Sequence, residues 1–253
     1  MISTAQAFAA IEATWPARRR IALDPWLLRD GQGGGSRVSS ATAQGPVTAE
    51  DIAKMERGMA GLGQPPLVMI RPGEAALDAV LAAAGYVIAD PVVIYAAPVA
   101  QLAEPPPPIS AFAHWPRLAI TDTLWDEGGI GAGRRAVMER APHPKAVILA
   151  RTEDQPAGAA FVSVFDKIAM IHAISVTPRF RRKGSARNML RAAACWSQDV
   201  GATDFALVVT ERNAAARALY ASLGMLVVGK YHYRSKDLAR GPAVEETRSA
   251  DGA

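Results

Sequence analysis

The sequence predicts a layered α/β protein in two units, and three observations lead to this prediction. Strand-like and helix-like segments alternate through residues 48–97. Four consecutive prolines, 105–108, then interrupt the pattern, and a proline run enters neither a sheet interior nor a helix interior. Beyond them, three apolar segments follow one another with short turns before helices return. We therefore predict units at 1–104 and 109–236, with a disordered polar tail at 237–253.

The first unit begins with a predicted helix over residues 5–15, which Pro16 ends. A strand-like segment at 26–29 leads to a glycine-rich loop, Gly31 to Gly35. Such a loop invites a phosphate-binding interpretation, but no helix pattern starts directly after it. We therefore interpret it as a flexible hairpin connection with a returning strand at 37–42.

The remainder of the first unit alternates between helix and strand. Thr48 and Asp51 form a capping-box pattern that opens a helix. The continuous apolar stretch 67–70 predicts a strand buried on both faces. A second helix is predicted over 75–84, and a further strand over 91–97.

The second unit combines an antiparallel meander with two helix–strand pairs. It opens with a predicted strand at 109–115 and helical segments around 121–125 and 134–140. Tight turns join the next three strands, which predicts the meander. These strands and the elements that follow are predicted at 145–151, 157–165, 168–176, 185–200 (helix), 205–209, 213–223 (helix) and 225–233.

Composition excludes several classes of protein. Lys plus Arg number 28 and Asp plus Glu 24, so the net charge is only +4, and much of it is local. This balance argues against nucleic acid or a membrane as partner. Cys195 is the only cysteine, so we expect neither an intrachain disulfide nor a structural zinc site. No leader-like or membrane-spanning stretch is visible, and we expect a cytoplasmic protein.

A basic loop separates the last strand of the meander from the next helix. The strand runs to Val176, Pro178 ends it, and Gly184 precedes the helix. Free N–H groups and the dipole at a helix N-terminus both favour an anion there. The basic residues of the loop are Arg179, Arg181, Arg182, Lys183 and Arg187.

Two motifs in the second unit resemble those of the GCN5-related N-acetyltransferase (GNAT) superfamily. The first, at residues 181–186, reads Arg-Arg-Lys-Gly-Ser-Ala and fits the family segment Arg/Gln-x-x-Gly-x-Gly/Ala between its fourth strand and third helix. The second is Asn213 at the head of a helix, an Ala-x-x-Leu-Tyr core that ends at Tyr220, and Gly224. Met225 departs from the family, which usually has an aromatic residue there. The resemblance covers residues 109–236.

The resemblance implies an acyl-CoA N-acyltransferase fold, with a mixed and mostly antiparallel sheet flanked by helices. It implies acetyl-CoA as acyl donor, no metal, and a small-molecule or peptide amine as acceptor. The first unit, residues 1–104, lacks both motifs, and we interpret it as a degenerate second copy in a tandem arrangement. Such a half would shape the acceptor pocket or mediate a homodimer.

The resemblance also assigns residues to the cofactor. The backbone of the basic loop would cradle the pyrophosphate, with glycine allowing close approach. The strand before it would bond the pantetheine through its backbone, where the fourth and fifth strands splay apart. Asn213 would cap its helix and contact the cofactor arm. The residues so assigned are Ile174, Val176, Arg181, Arg182, Lys183, Gly184, Ser185, Ala186, Arg187 and Asn213.

Two residues are candidates for catalysis. Tyr220 would be the general acid that protonates the leaving thiolate; the alternative is an ordinary half-buried tyrosine. His172 would be a base or a substrate contact, and a hydrogen-bonded core histidine is an equal alternative. Strand alternation would place His172 on the same face as Met170 and Ile174.

Weaker candidates lie elsewhere in the second unit. Glu211 is either a polar site residue or a solvated loop carboxylate. Residues 231–233, Tyr-His-Tyr, either line the acceptor site or lie on an edge strand.

The leading functional hypothesis is an N-acetyltransferase that acts by direct attack of an amine on acetyl-CoA. The alternative from a different class is a non-catalytic acyl-CoA sensor or scaffold that retains the fold. Nucleic-acid binding is a third hypothesis, and the short basic cluster with a single aromatic neighbour, Phe180, argues against it.

Overall fold

The computed structural model describes residues 1–236, and the predicted disordered tail, 237–253, lies outside them. The helices are α1 (Thr4–Thr14), α2 (Ser36–Ser39), α3 (Ala49–Gly61), α4 (Ala75–Ala83), α5 (Val99–Leu102), α6 (Ala119–Glu127), α7 (Ala132–Arg140), α8 (Ser185–Asp199) and α9 (Ala214–Ser222). The strands are β1 (Arg19–Leu23), β2 (Trp26–Asp30), β3 (Thr42–Ala43), β4 (Leu67–Ile70), β5 (Val87–Pro98), β6 (Ala111–His114), β7 (Lys145–Thr152), β8 (Gln155–Phe165), β9 (Ile168–Val176), β10 (Asp204–Thr210) and β11 (Leu226–Ser235).

One eight-stranded sheet dominates the fold, in the order β4-β11-β5-β10-β9-β8-β7-β6. All its neighbouring strands are antiparallel except β9 and β10, which are parallel. The predicted meander and the predicted mixed, mostly antiparallel sheet flanked by helices are therefore confirmed. A separate three-stranded sheet, β1-β2-β3, lies in the N-terminal part.

Strands from before the proline run belong to the large sheet. β5 lies between β10 and β11, and β4 flanks β11 on the other side. Six consecutive residues of β5, Val92 to Ala97, are buried, as expected for a strand covered on both faces. β11 is therefore an interior strand, and the edge-strand alternative for residues 231–233 is wrong. The division into units at residue 104 stays a prediction, with the sheet continuous across it.

Three apolar cores cover the two faces of the sheet, and two of them meet its central strands. Ile94, Met170 and Ala206 face a core completed by α1, α3, α4 and the small sheet. Val93, Ile171 and Phe205 face the opposite core, which α8 and α9 complete. Alternation along each strand thus assigns residues to faces, and a break in alternation is detectable.

The glycine-rich loop packs against α7, and the predicted returning strand is present as β3, antiparallel to β2, but at Thr42–Ala43 rather than at 37–42. α2 begins at Ser36, directly after Gly35. A Cβ added to Gly34 would lie 2.5 Å from Val137 Cγ2, and one added to Gly133 would lie 2.5 Å from the Gly33 carbonyl oxygen. The glycines are therefore needed for the loop to approach α7.

The N-terminal cap of α3 forms as the sequence predicts. The side chain of Thr48 accepts from the Asp51 N–H, and Asp51 in turn accepts from the Thr48 N–H at 2.8 Å, which confirms the predicted capping box.

Within residues 1–236 no helix combines the length and the apolar character needed to cross a bilayer.

Candidate functional site

A cleft of about 340 Å³ opens where β9 and β10 part. The parallel ladder joins Ile168–Ile171 to Asp204–Leu207 and then stops. Residues 172–174 of β9 and 208–210 of β10 line the two sides of the opening. The splayed strands that the resemblance implied are therefore present.

A β-bulge at Ala173 shapes the wall of this cleft. Ala173 has a φ of 52°, and the pairing with β8 slips between Ala159 and Phe161. Trp125 donates its indole N–H to the Ala173 carbonyl oxygen at 2.9 Å. Such a bulge inserts an extra residue and reverses the facing of side chains beyond it.

The bulge corrects the predicted facing of Ile174. Met170, before the bulge, packs in the core of α1 and α3, whereas Ile174, after it, packs against the core of α8. His172 bonds Thr14 at the end of α1 and so shares the face of Met170 as predicted, but the prediction that Ile174 lies on this face is wrong, because simple alternation does not hold across Ala173.

The backbone beyond the bulge faces the opening. Thr177 donates its N–H to the Ala157 carbonyl oxygen of β8 at 3.0 Å. By alternation, the N–H and C=O groups of Val176 and Ile174 point the other way, toward the parted strands. Arg181 Nε donates to the Val176 carbonyl oxygen at 3.2 Å from that side. The assignment of Ile174 and Val176 to pantetheine stays a prediction.

The basic loop presents a run of unpaired backbone donors. None of the N–H groups of residues 182–187 makes a hydrogen bond within the described part of the chain. The first bond of α8 is from the Asn188 N–H to the Gly184 carbonyl oxygen, at 3.0 Å. These donors converge at a helix N-terminus, which is the arrangement that binds a phosphate.

Glycine is favoured at position 184 by its conformation. Gly184 has a φ of 87°, in the left-handed region. A Cβ added there would meet nothing within 4 Å, so steric obstruction within the protein is not the reason.

The side chains of the basic loop divide into anchored and free groups. Ser185 is buried and bonds the Thr152 hydroxyl at 2.8 Å, so its side chain anchors the loop. Lys183 pairs with Glu153 at 2.7 Å, and Arg187 donates to Ser222 at 2.9 Å. Arg182 has an exposed side chain without a partner in residues 1–236. Neighbouring Ala186 is half-buried in the first turn of α8.

Tyr220 brings a hydroxyl to the cleft from α9. Its ring packs on Tyr95 with 5.7 Å between centroids, and only 6% of the residue is exposed. Its hydroxyl has no hydrogen-bond partner among the residues described. Burial raises the pKa of Tyr220 to about 12, so the hydroxyl holds its proton at neutral pH. Asn213, also at the cleft, accepts from the Ala216 N–H at 3.1 Å and confirms the predicted helix cap.

His172 is a hydrogen-bonded, neutral side chain at the cleft wall. Arg37 Nη1 lies 2.9 Å from Nδ1, and because arginine only donates, Nδ1 is the acceptor. Nε2 therefore carries the proton and donates to the Thr14 hydroxyl at 2.9 Å, which donates in turn to the Ala10 carbonyl oxygen. Burial and the Arg37 charge hold the pKa of His172 well below its usual value. The lone pair that a base would use is thus engaged by Arg37.

Residues from the N-terminal part, α7 and β11 together build one end of the cleft, the arginine end. Arg37 joins this end to His172, four residues before the end of β9. Tyr231 and Tyr233 of β11 also lie there, buried, whereas His232 turns away to bond Asp78 at 2.8 Å. The arginine end is lined by Trp15, Arg37, Asp90, Arg134, Tyr231 and Tyr233.

Sequence reasoning missed four of these residues: Trp15, Arg37, Asp90 and Arg134. No motif marks them, since they come from the C-cap of α1, from α2, from β5 and from α7, and meet only in the folded chain. Glu211 pairs with Lys230 at 3.0 Å and is absent from the cleft wall, which matches the alternative of a loop carboxylate. Residues 1–236 contain no group of three or more His, Cys, Asp or Glu side chains placed to hold a metal ion.

The strands β9 and β10 part beside the unpaired N–H groups at the head of α8, and comparison with known proteins identifies the family. Residues 99–225, half of the chain, match the acetyltransferase (GNAT) family. The chain belongs to this family, and the family's activity is acyl transfer. No curated protein matches the sequence.

Solved structures of low sequence identity share the fold. A GCN5-related N-acetyltransferase from Kribbella flavida matches with a TM-score of 0.69 and 18% identity, over 92% of this chain and 95% of that one. A GCN5-related N-acetyltransferase from Sphaerobacter thermophilus matches with a TM-score of 0.56 and 15% identity, over 83% and 76%. A tandem GNAT protein from the clavulanic acid biosynthesis pathway matches with a TM-score of 0.50 and 13% identity, over 79% and 75%.

Proposed function

We propose that this protein transfers an acetyl group from acetyl-CoA to a primary amine by direct attack. The observation that carries the proposal is the run of unpaired N–H groups at residues 182–187, which continues into the opening between β9 and β10. The unpaired N–H groups suit a pyrophosphate, and the opening between β9 and β10 suits an extended pantetheine arm that bonds the unpaired strand backbone. Acetyl-CoA is the co-substrate that the family generally binds.

The cofactor would lie along β9. Its pyrophosphate would accept from the N–H groups at the head of α8, with Arg182 free to pair with a phosphate. Its pantetheine would bond the backbone of Val176 and Ile174. The thioester would then reach the bulge at Ala173, opposite Tyr220.

In the reaction the neutral amine attacks the thioester carbonyl carbon, so that a C–N bond forms and the C–S bond breaks. Tyr220 would give its proton to the departing sulfur, and the proton lost by the amine would return to the phenolate through water. The raised pKa of Tyr220 keeps it in the acid form that this step needs. His172 is better suited to hold Arg37 than to accept a proton, because its Nδ1 lone pair is occupied.

Thiol release from acetyl-CoA across a panel of amines tests the proposal. We expect Tyr220→Phe to lower kcat by about 10²–10⁴-fold, with coenzyme A affinity unchanged. Tyr95→Phe is the matched control, because it removes the hydroxyl of the ring packed on Tyr220 and should retain activity.

Two outcomes would count against the proposal. Full activity of Tyr220→Phe would remove the tyrosine from the acid role. Tight coenzyme A binding without turnover of any amine would favour the non-catalytic acyl-CoA sensor instead.

A further inference from the structure

Two arginines at the arginine end of the cleft lack a counter-charge. Neither Arg37 nor Arg134 pairs with a carboxylate in residues 1–236. Other partly buried arginines do: Arg29 pairs with Glu12 at 2.8 Å, and Arg234 pairs with Asp78 at 2.7 Å. Buried or half-buried charges are normally paired, so two arginines without a carboxylate in one cleft require an explanation.

Arg37 and Arg134 line the same cleft, and the charge of Arg37 acts on Arg134. Arg134 Nε would be 3.5 Å from a Cβ on Gly35, so this side chain lies along the loop that leads into Arg37. Arg37 is itself held by the His172 ring and lies 5.0 Å from the centre of the Trp15 ring. Burial and the neighbouring Arg37 charge both lower the pKa of Arg134. The fold thus holds two like charges together, at a cost that an anion between them would offset.

The remaining charges of the cleft do not neutralise this pair. Asp90 is the only carboxylate in the cleft lining, and Arg212 already lies 3.4 Å from it. His172 is neutral because Arg37 occupies its acceptor nitrogen.

This positive end is separate from the pyrophosphate site. No residue of 181–187 lines the cleft, and Arg37 bonds His172 rather than the end of β9. Four strand residues, roughly 13 Å, separate His172 from Val176. The arginine end therefore lies beyond the thioester, where the acceptor would enter.

We infer that the acceptor amine carries an oxyanion, a carboxylate or a phosphate, that binds between Arg37 and Arg134. That the acceptor is an amine rests on the proposed acetyl transfer. That it carries an oxyanion rests on the two arginines. A guanidinium group matches either oxyanion with two parallel hydrogen bonds, and Trp15 and the two buried tyrosines close the remaining walls.

Matched pairs of amines test the inference through kcat/KM. One arm compares α-amino acids with their carboxamides, and the other compares O-phosphoethanolamine with ethanolamine. We expect the anionic member of one pair to be preferred by about 10–100-fold, the range of hydrogen bonds to charged groups. The arm that shows the preference distinguishes carboxylate from phosphate.

Arginine variants locate the preference. Arg37→Gln and Arg134→Gln should each shrink the ratio between anionic and neutral members toward one. Arg57→Gln, at an exposed position on α3, is the matched control and should keep the wild-type ratio. The inference would be overturned if Arg37→Gln and Arg134→Gln lowered kcat/KM equally for both members of a pair. It would also be overturned if the wild type preferred the anionic member in neither arm.

Calorimetry separates this inference from the proposed function. The same anionic amines are titrated into protein loaded with coenzyme A, where binding is measured without turnover. Binding that Arg134→Gln abolishes, in a protein that acetylates nothing, would refute acetyl transfer and still support the anion site. Absence of binding by every anionic amine would overturn the inference.

Discussion

Acidification should destabilise this protein through His172. The imidazole is only 3% exposed and sits among α1, α2 and β8, with Trp15 at 4.9 Å and Phe161 at 6.3 Å between ring centres. Arg37 is the charged group that faces it, and no carboxylate contacts it. Protonation would therefore place a second positive charge beside Arg37 in a buried site.

The magnitude follows from proton linkage. The pKa of His172 lies well below 6.5 in the folded state and close to that ordinary value in the unfolded chain. Between these two values the unfolded state binds the extra proton, so the free energy of unfolding falls as the pH is lowered. The slope is about 1.4 kcal/mol per pH unit, and lowering the pH to 5.0 removes about 2 kcal/mol.

Urea denaturation at pH 7.5 and pH 5.0 measures this loss. His172→Gln should abolish about 2 kcal/mol of the pH-dependent difference, since its amide does not titrate. His143→Gln, at an exposed position, is the control and should keep the wild-type difference. Other groups titrate in both chains and cancel. Equal pH-dependent losses in the wild type and His172→Gln would refute the reasoning.

Two further predictions concern the elements that frame the cleft. Gly184→Ala should lower the free energy of unfolding by about 1 kcal/mol, because the φ of 87° is unfavourable for alanine, and it should also weaken coenzyme A binding. Thermal unfolding measures the first effect and calorimetry the second. Unchanged stability would contradict the predicted backbone strain. Lys145→Met should lower the free energy of unfolding by about 2–3 kcal/mol in urea denaturation. The buried Lys145 Nζ donates to three carbonyl oxygens at the end of α7: Met138 at 3.2 Å, Glu139 at 2.7 Å and Ala141 at 2.9 Å. A loss below about 0.5 kcal/mol would show that water replaces these bonds.

The end of β9 and the basic loop after it were largely predictable from sequence. The strand that ends at Pro178, the basic loop and Gly184 are contiguous, and their geometry depends on local rules for helix starts and turns. Asn213 caps its helix as predicted for the same reason. Tyr220 lies at the cleft wall, and its catalytic role stays a prediction.

The facing of Ile174 was not predictable by alternation. The bulge at Ala173 occurs at a non-glycine residue, and its carbonyl is bonded by Trp125, which is distant in sequence. A contact of this kind leaves no periodic signal in the strand itself.

By itself, the sequence determined the order of most elements, the meander and the start of α8 after the basic loop, because these depend on neighbours within a few residues. Tertiary structure alone decided that β5 lies between β10 and β11, and that Arg37 and Arg134 meet at one end of the cleft. Strand partners and cleft walls are chosen by burial across the whole chain. Segments far apart in sequence therefore come into contact without any local sequence pattern that predicts the contact.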